Sequence, residues 1–489
     1  VSDIEYQTDC DAMPKDKHRS TLSQSEKAFL KIEKNCPMNS QVANIPVDPR
    51  EHKTALANFP PSFSFYDSIP CLYGSQERYE IGRKLGHGKY SDVFEGYCVD
   101  TDSSVVIKIL KPVRRKKIYR EIKILTNLLA GPNCINLLDV VSVRDSDYPA
   151  LILEHGGLSL AHSVQMLNDE QIRIVLFQTL RALEWFHIHG IVHRDTKPGN
   201  IAYDPTTHRL KLLDYGLAEF YSYGTPLHHR VASRHYKSPE ILVNYQLYDY
   251  SLDIWSLGTL AAGLIFKRHP FFRGTNNINQ LDKIVEVLGS ADFFAMINKY
   301  NIKLSSSRTY DLQGYERMQF DAFTNHDNHY LVTDQALDFL NKTLVYDPEK
   351  RLTVREALLH PYFDCIREKI TDMAIEEVND AKKIMELEEI EQQLKPAKAE
   401  KVEDPAGSGS CSQRPPQMHS ILGLSPSALP TWKTDIKTQH FPVPMLPSEL
   451  SKNPSKYGQF DKMWEEYWKT QQMKLVESGM QVYGSQITS

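Results

Sequence analysis

Eight consecutive residues, His193-Arg194-Asp195-Thr196-Lys197-Pro198-Gly199-Asn200, followed fourteen positions later by Asp214-Tyr215-Gly216, leave this chain few ways to fold. A DxG tripeptide is common by chance. One set so far behind Asn200, directly after the strand-like run Leu210–Leu213, is not. Upstream, in a compatible order, stand Leu85-Gly86-His87-Gly88-Lys89-Tyr90-Ser91-Asp92-Val93, then Val105-Val106-Ile107-Lys108, then Glu121 on a helix predicted over Tyr119–Leu129. Each fragment alone has a plain reading: a turn between strands, or a lysine that snorkels to solvent from the end of an apolar strand. Together they do not.

Patterning sorts the 489 residues into regions. Residues 1–64 are polar, weakly periodic and punctuated by Pro46, Pro49, Pro60 and Pro61, which reads as a flexible tail. From about 65 to 364 the pattern is globular. β-Branched runs such as Ser104–Leu110 and Ile135–Ser142 come first, and helical patterns such as Asp169–His187 and Asp334–Leu344 follow. That order predicts an α+β fold of two lobes, a β-rich N-lobe over about 79–155 and a helical C-lobe over about 156–364. Residues 365–395 pattern as an amphipathic helix closed by Pro396. Residues 396–489 read as a linker and C-terminal tail, with Phe460, Trp464, Tyr467, Trp468 and Leu475 spaced for a short aromatic helix.

Composition narrows the function classes. A net charge of -5 argues against a protein that wraps nucleic acid. Seven scattered cysteines, none in CxxC, are poor material for a disulfide framework or a zinc site. The longest apolar stretch, near Leu257–Phe266, is about half of the ~20 residues a membrane span needs. The expectation is a chain of the cytoplasm and nucleus, with no membrane and no direct nucleic-acid partner.

The ordered motifs resemble those of protein kinases. The resemblance implies ATP and Mg²⁺ as cofactors, with Asp195 as the base that takes the substrate hydroxyl proton and Lys197 neutralising the moving phosphoryl group. It makes Asn200 and Asp214 the metal ligands, and Lys108, paired with Glu121, the clamp on the α- and β-phosphates. Glycines in the 85–93 loop let backbone approach phosphate oxygens, although Ser91 stands where a third glycine is usual. Leu85, Gly86, Gly88, Val93, Glu154, Gly156 and Leu213 complete the implied ATP site. Glu240 of Ser238-Pro239-Glu240, its partner Arg351, and Asp253 take structural roles.

Within kinases, residues 66–363 resemble the casein kinase II catalytic subunit. The stretches that carry this are Lys84–Glu95, Val106–Leu125, Asp214–Tyr221, Arg230–Lys237 and Tyr248–Gly258. It implies serine/threonine specificity and acidic protein substrates drawn by two basic groups: Arg114, Arg115, Lys116 and Lys117, and Arg230, Arg234 and Lys237. A run of basics reads by default as a solvated charge cluster or a nuclear-localisation signal. The second group, beside the implied active site, tips the balance toward an acidophilic groove, and the first run is compatible with both jobs. The resemblance also implies constitutive activity, with residues Tyr66–Tyr79 packed on the activation loop. It implies a regulatory beta subunit on the N-lobe sheet bearing Tyr79, Ile81, Phe94, Ile107 and Ile109, positions that a core would equally explain.

The chain departs from that family at Gly199, Tyr215, Leu153, Ala202, His235 and the short Gly156-Gly157 hinge. Smaller residues at 153 and 202 predict a roomier nucleotide pocket. Two further readings stay open: a pseudokinase scaffold, and a proline-directed or splicing-type kinase.

Overall fold

The computed structural model describes residues 44–67, 73–143 and 146–373. Two compact units divide the chain, one of residues 1–58 and 72–366, the other of 59–71 and 367–489. In the described part of the second, Phe59 and Phe63 stack with ring centroids 4.1 Å apart. The amphipathic helix expected over 365–395 and the aromatic helix expected near 460–475 lie largely or wholly outside the described residues.

The first unit opens with a five-stranded antiparallel sheet in the order β1-β2-β3-β5-β4, formed by β1 (Tyr79–His87), β2 (Ser91–Cys98), β3 (Ser103–Leu110), β4 (Leu137–Val141) and β5 (Ala150–Glu154). Strand alternation does two jobs in β3. It sends Val105 and Ile107 into a packed cluster with Cys98, Val141, Ala150 and Ile152, and turns Lys108 to the opposite face. Ile107 is therefore core and unavailable to a partner, whereas Ile81 is 58% exposed. Helix α1 (Arg115–Asn127) is inserted between β3 and β4, starting one turn earlier than its hydrophobic pattern suggested.

The remainder is helical. Helix α2 (Asp169–Ile188) begins at a reciprocal cap in which Asn168 and Gln171 exchange side-chain and backbone bonds. Helix α3 (Ser251–Ile265) is buried at every position, as expected of a helix apolar on all sides. Helix α2 packs on α3 and on two short antiparallel strand pairs, β6 (Ile191–Val192) with β9 (Glu219–Phe220), and the hairpin of β7 (Ile201–Tyr203) with β8 (Leu210–Leu212). Sheet-rich and helix-rich parts follow one another along the chain, the two-lobed α+β arrangement expected from the sequence. No described helix is long and apolar enough to cross a membrane.

Residues 44–58, which the sequence placed in a tail, run along the helical lobe. Val47 N–H donates to the Leu247 carbonyl (3.0 Å), and Arg50 makes a two-pronged pair with Glu356 (2.8 and 2.9 Å). Lys53 lies 3.8 Å from the centroid of the Tyr223 ring, so this segment touches the loop after Asp214. His52 is packed edge-on against Tyr250 beside His187.

Burial, reinforced by His187 and Arg355, pulls the His52 pKa down to about 3 from 6.5. The native state thus binds fewer protons here than the unfolded chain, so stability rises with pH between the two values and is lost on acidification. At pH 5 the penalty is about 2 kcal/mol. Thermal melts should show Tm falling from pH 7 to 5, and His52→Gln should flatten that slope. An unchanged slope would place the acid sensitivity elsewhere.

Candidate active site

Lys108, delivered to the inner face of the sheet by β3, meets Glu121 of α1 at 2.6 Å and Asp214 at 2.7 Å. Burial alone would strip the lysine of its proton, but Asp214 and Glu121 outweigh it and hold the ammonium firmly charged. The same logic applies to Asp214. Desolvation would raise its pKa, and the Lys108 charge and hydrogen bond reverse this, keeping it well below the usual carboxylate range. Its backbone is left-handed (φ 57°), an unfavourable conformation for a residue with a Cβ. Strain of this kind persists where surroundings over-determine it. Here Tyr215 is the anchor: fully buried, it lies edge-on to Phe186 with centroids 4.8 Å apart, and its hydroxyl accepts from Ile135 N–H (3.0 Å).

The loop 193–200 is shaped from beneath by Asp253. This carboxylate is fully buried on α3, accepts the backbone N–H groups of His193 (2.9 Å) and Arg194 (2.8 Å), and pairs with His187 (2.9 Å). Arg194 is thereby held at φ 67°, and the chain turns so that Asp195 faces the cleft. Asp195 is gripped on both oxygens. Oδ1 accepts from the Ser233 N–H (2.8 Å) and hydroxyl (2.9 Å), while Oδ2 meets Asn200 Nδ2 (2.8 Å) and Lys197 Nζ (2.8 Å). Lys197 Nζ also donates to Ser233 Oγ (2.7 Å). A carboxylate so oriented, beside a cation, can accept a proton from a hydroxyl brought within reach.

Asn200 and Asp214 present oxygen to a hard cation. The Asn200 Nδ2 is committed to the Asp195 carboxylate and carbonyl, which leaves Oδ1 as its ligating atom. Among the described residues no three or more His, Cys, Asp or Glu side chains group to hold a metal. Two oxygen donors, one of them a carboxylate, suit Mg²⁺, which keeps few protein ligands and completes its shell with water and phosphate.

Above the cleft, Gly86 pairs with Val93 across the β1–β2 hairpin, and Gly88 N–H closes the turn on the Ser91 carbonyl (2.9 Å). Leu85 is 44% exposed on the same hairpin. At the junction of the lobes, Glu154 pairs with Lys211 (2.8 Å) and accepts from Asn136 N–H (2.9 Å). A Cβ on Gly156 would lie 3.3 Å from Ala202 Cβ and 3.4 Å from Leu213 Cδ2, so the bare backbone here rests close on the pocket floor.

The basic residues divide by exposure. Arg114, Arg115, Lys116 and Lys117 are exposed, and Arg230 and Arg234 half-buried. Lys237 is only 3% exposed, because the turn over Arg234–Tyr236 closes through its N–H on the Arg234 carbonyl (3.3 Å) and carries it inward. Two participants were not singled out from the sequence. Ser233 gives no local signal beyond lying in a basic stretch. Glu219 of β9 pairs with Arg120 of α1 and lies 3.6 Å from Arg194, joining α1, the 193–200 loop and the segment after Asp214. A carboxylate directly after the Asp214-Tyr215-Gly216 turn, with an arginine beside the helix glutamate, is the pattern that would have found it.

The far end of that segment is fixed by Arg351 and Glu240, which form two parallel bonds of 2.7 Å at 0% and 1% side-chain exposure. Residues 79–363, more than half of the chain, match the family model described as protein kinase domain.

Truncating one partner of a buried pair strands the other charge, at a cost of about 3–5 kcal/mol. Arg351→Met should lower the denaturant midpoint accordingly, and the double change with Glu240→Gln should recover part of the loss. Equal losses in both would mean the pair is not coupled.

Proposed function

The chain belongs to the protein kinase family, and we propose that it transfers the γ-phosphate of ATP to serine or threonine followed by acidic residues, without prior activation. The observation that carries the substrate class is the first turn of α1. Four consecutive cations, Arg114 to Lys117, occupy the start of a 13-residue helix with no acidic residue in its first turn and no side-chain cap. The helix dipole makes that end positive already, so each cation there opposes stability. An arrangement that costs the fold is explained by an anionic ligand. Lys117 lies 5.2 Å from the centroid of the Tyr90 ring in the glycine-rich turn, which sets the run beside the cleft. Arg230 and Arg234, which flank the Ser233 that bonds Asp195, supply further charge.

In this reading the substrate hydroxyl gives its proton to Asp195 as its oxygen bonds to the γ-phosphorus, and the bond to the β-phosphate oxygen breaks to release ADP. Ser233, Asn200 and Lys197 hold the carboxylate for that transfer, and Lys197 offsets charge on the phosphoryl oxygens. Lys108, positioned by Glu121, holds the α- and β-phosphates. Mg²⁺, held by Asp214 and Asn200, would supply neutralisation of phosphate charge. Lys197 two residues after Asp195, in contact with Ser233, supports serine/threonine rather than tyrosine as acceptor.

Constitutive activity is supported by Glu219. Many kinases order this segment by adding a phosphate that arginines then bind. Here an encoded carboxylate already engages Arg120 and Arg194, and Lys108–Glu121 is formed. A regulatory subunit on the N-lobe, resting on exposed Ile81, is part of the same proposal.

Phosphate transfer from Mg-ATP should favour a serine peptide followed by acid over one followed by proline. Raised salt should suppress it, since screening weakens charge attraction. Asp195→Asn should reduce it by about 100-fold or more. Preference for the proline peptide would refute the substrate class, and nucleotide binding without transfer to either peptide would favour a scaffold. Phosphatase treatment should leave activity intact, whereas Glu219→Gln should lower it by about tenfold, the scale of one charged hydrogen bond. Activity abolished by phosphatase would overturn the unphosphorylated active state.

A further inference from the structure

We infer that Arg273, on the loop following α3, forms a further anion subsite that reads a second acidic or phosphorylated residue of the protein substrate. The inference rests on the kinase reading above and extends its substrate groove to a residue outside the two basic groups already assigned. The starting observation is a line of contacts leading away from Asp195. Ser233 bonds that carboxylate, the turn Arg234–Tyr236 follows directly, and His235 Nε2 bonds the Gly274 carbonyl (3.2 Å), next to Arg273. Arg273 therefore stands two short steps from the proposed reaction centre.

The platform beneath it is rigid. Gln280, fully buried at the start of α4 (Asn277–Leu288), accepts from Gly274 N–H (2.8 Å) and donates to the carbonyls of His235 and Phe272 (3.4 Å each). One side-chain amide thus staples the Arg273 loop to the substrate segment. Gly274 is packed so close that a Cβ would lie 2.4 Å from Gln280 Cα, and Phe272 stacks on Trp255. The backbone that carries Arg273 is therefore fixed beside the substrate segment, and only the side chain has to be ordered when an anion binds.

The sequence around this corner supplies no local counter-charge. Residues 226–237 and 266–274 contain no Asp or Glu, and the next acid downstream, Asp282, is engaged by Arg308 at 2.7 Å. Arg273 is exposed and has no ion-pair or hydrogen-bond partner among the described residues. Arg268, by contrast, is laid over Phe271 and Phe323. Burial, with Arg234 and Arg273 adding to it, holds His235 below its ordinary pKa, so at neutral pH the histidine acts as a spacer and the guanidinium as the reader. A planar guanidinium takes a carboxylate or a phosphate in a two-pronged pair.

The test is a positional peptide library in which one Asp, or one phosphoserine, is moved through the positions flanking the acceptor serine. It is read as kcat/KM for wild type, Arg273→Ala and Arg273→Glu. One position should lose its acid preference by about threefold in R273A, the scale of an exposed ion pair, and disfavour acid in R273E. The peptide with neutral flanks should react equally with all three. A larger gain from phosphoserine than from Asp at that position, lost in R273A, would identify a phosphorylated substrate as the preferred source of the anion. Identical positional profiles for the three enzymes would overturn the subsite while leaving the acidophilic reading intact. A wild-type profile without any acid preference would instead overturn the acidophilic reading, and the subsite with it.

Discussion

Asp253 is a carboxylate with no access to water, and burying a charge is costly unless every lone pair is answered. It is answered by two backbone N–H groups of the 193–200 loop and by His187. Burial would push its pKa up, yet these partners keep it below the ordinary value. Because the charge cannot be solvated any other way, the loop has one conformation open to it, with Arg194 in the left-handed region. Asp195, Lys197 and Asn200 inherit their places from that constraint. The same carboxylate links the loop to α2 through His187, and so to the segment 44–58 through His52 and Tyr250.

The division between what could and could not be read in the sequence follows contact range. Lys108, Glu121, Asp195, Asn200 and Asp214 stood out in the sequence as ordered motifs, and the fold brings Lys108 to Glu121 and Asp214, and Asn200 to Asp195. Strand alternation alone separates Lys108 from Ile107. The two-lobed arrangement was legible from the change of hydrophobic period along the chain. Residues 44–58 were not, because what orders them is far away: Arg50 and its partner Glu356 are 306 positions apart. Polar, proline-punctuated sequence looks the same whether it is solvated or pinned along a helical lobe. Ser233 and Gln280 were invisible for the same reason, each being an ordinary polar residue until the fold brings a backbone or a carboxylate to it. Lys237 shows the converse, a basic residue whose charge suggested surface and whose turn takes it inside.

The departures at the nucleotide site form a coherent set. Gly156 lets the backbone settle toward Ala202 and Leu213, so the small residues on the floor and the bare hinge fit one another. Tyr215 fills its own space, hydroxyl included, through Ile135 N–H. A buried phenol needs such a partner, and burial together with Cys134 drives its pKa well up. Beside these substitutions the charged network of Lys108, Glu121 and Asp214 is complete.

Glu219 carries a consequence of a different kind. A phosphate is a mark that one enzyme writes and another erases, and a carboxylate in the same electrostatic role is written once, in the gene. With Arg120 and Arg194 already engaged by it, the proposed unphosphorylated activity would have no erasable charge at that position, and a phosphatase would find nothing there to remove.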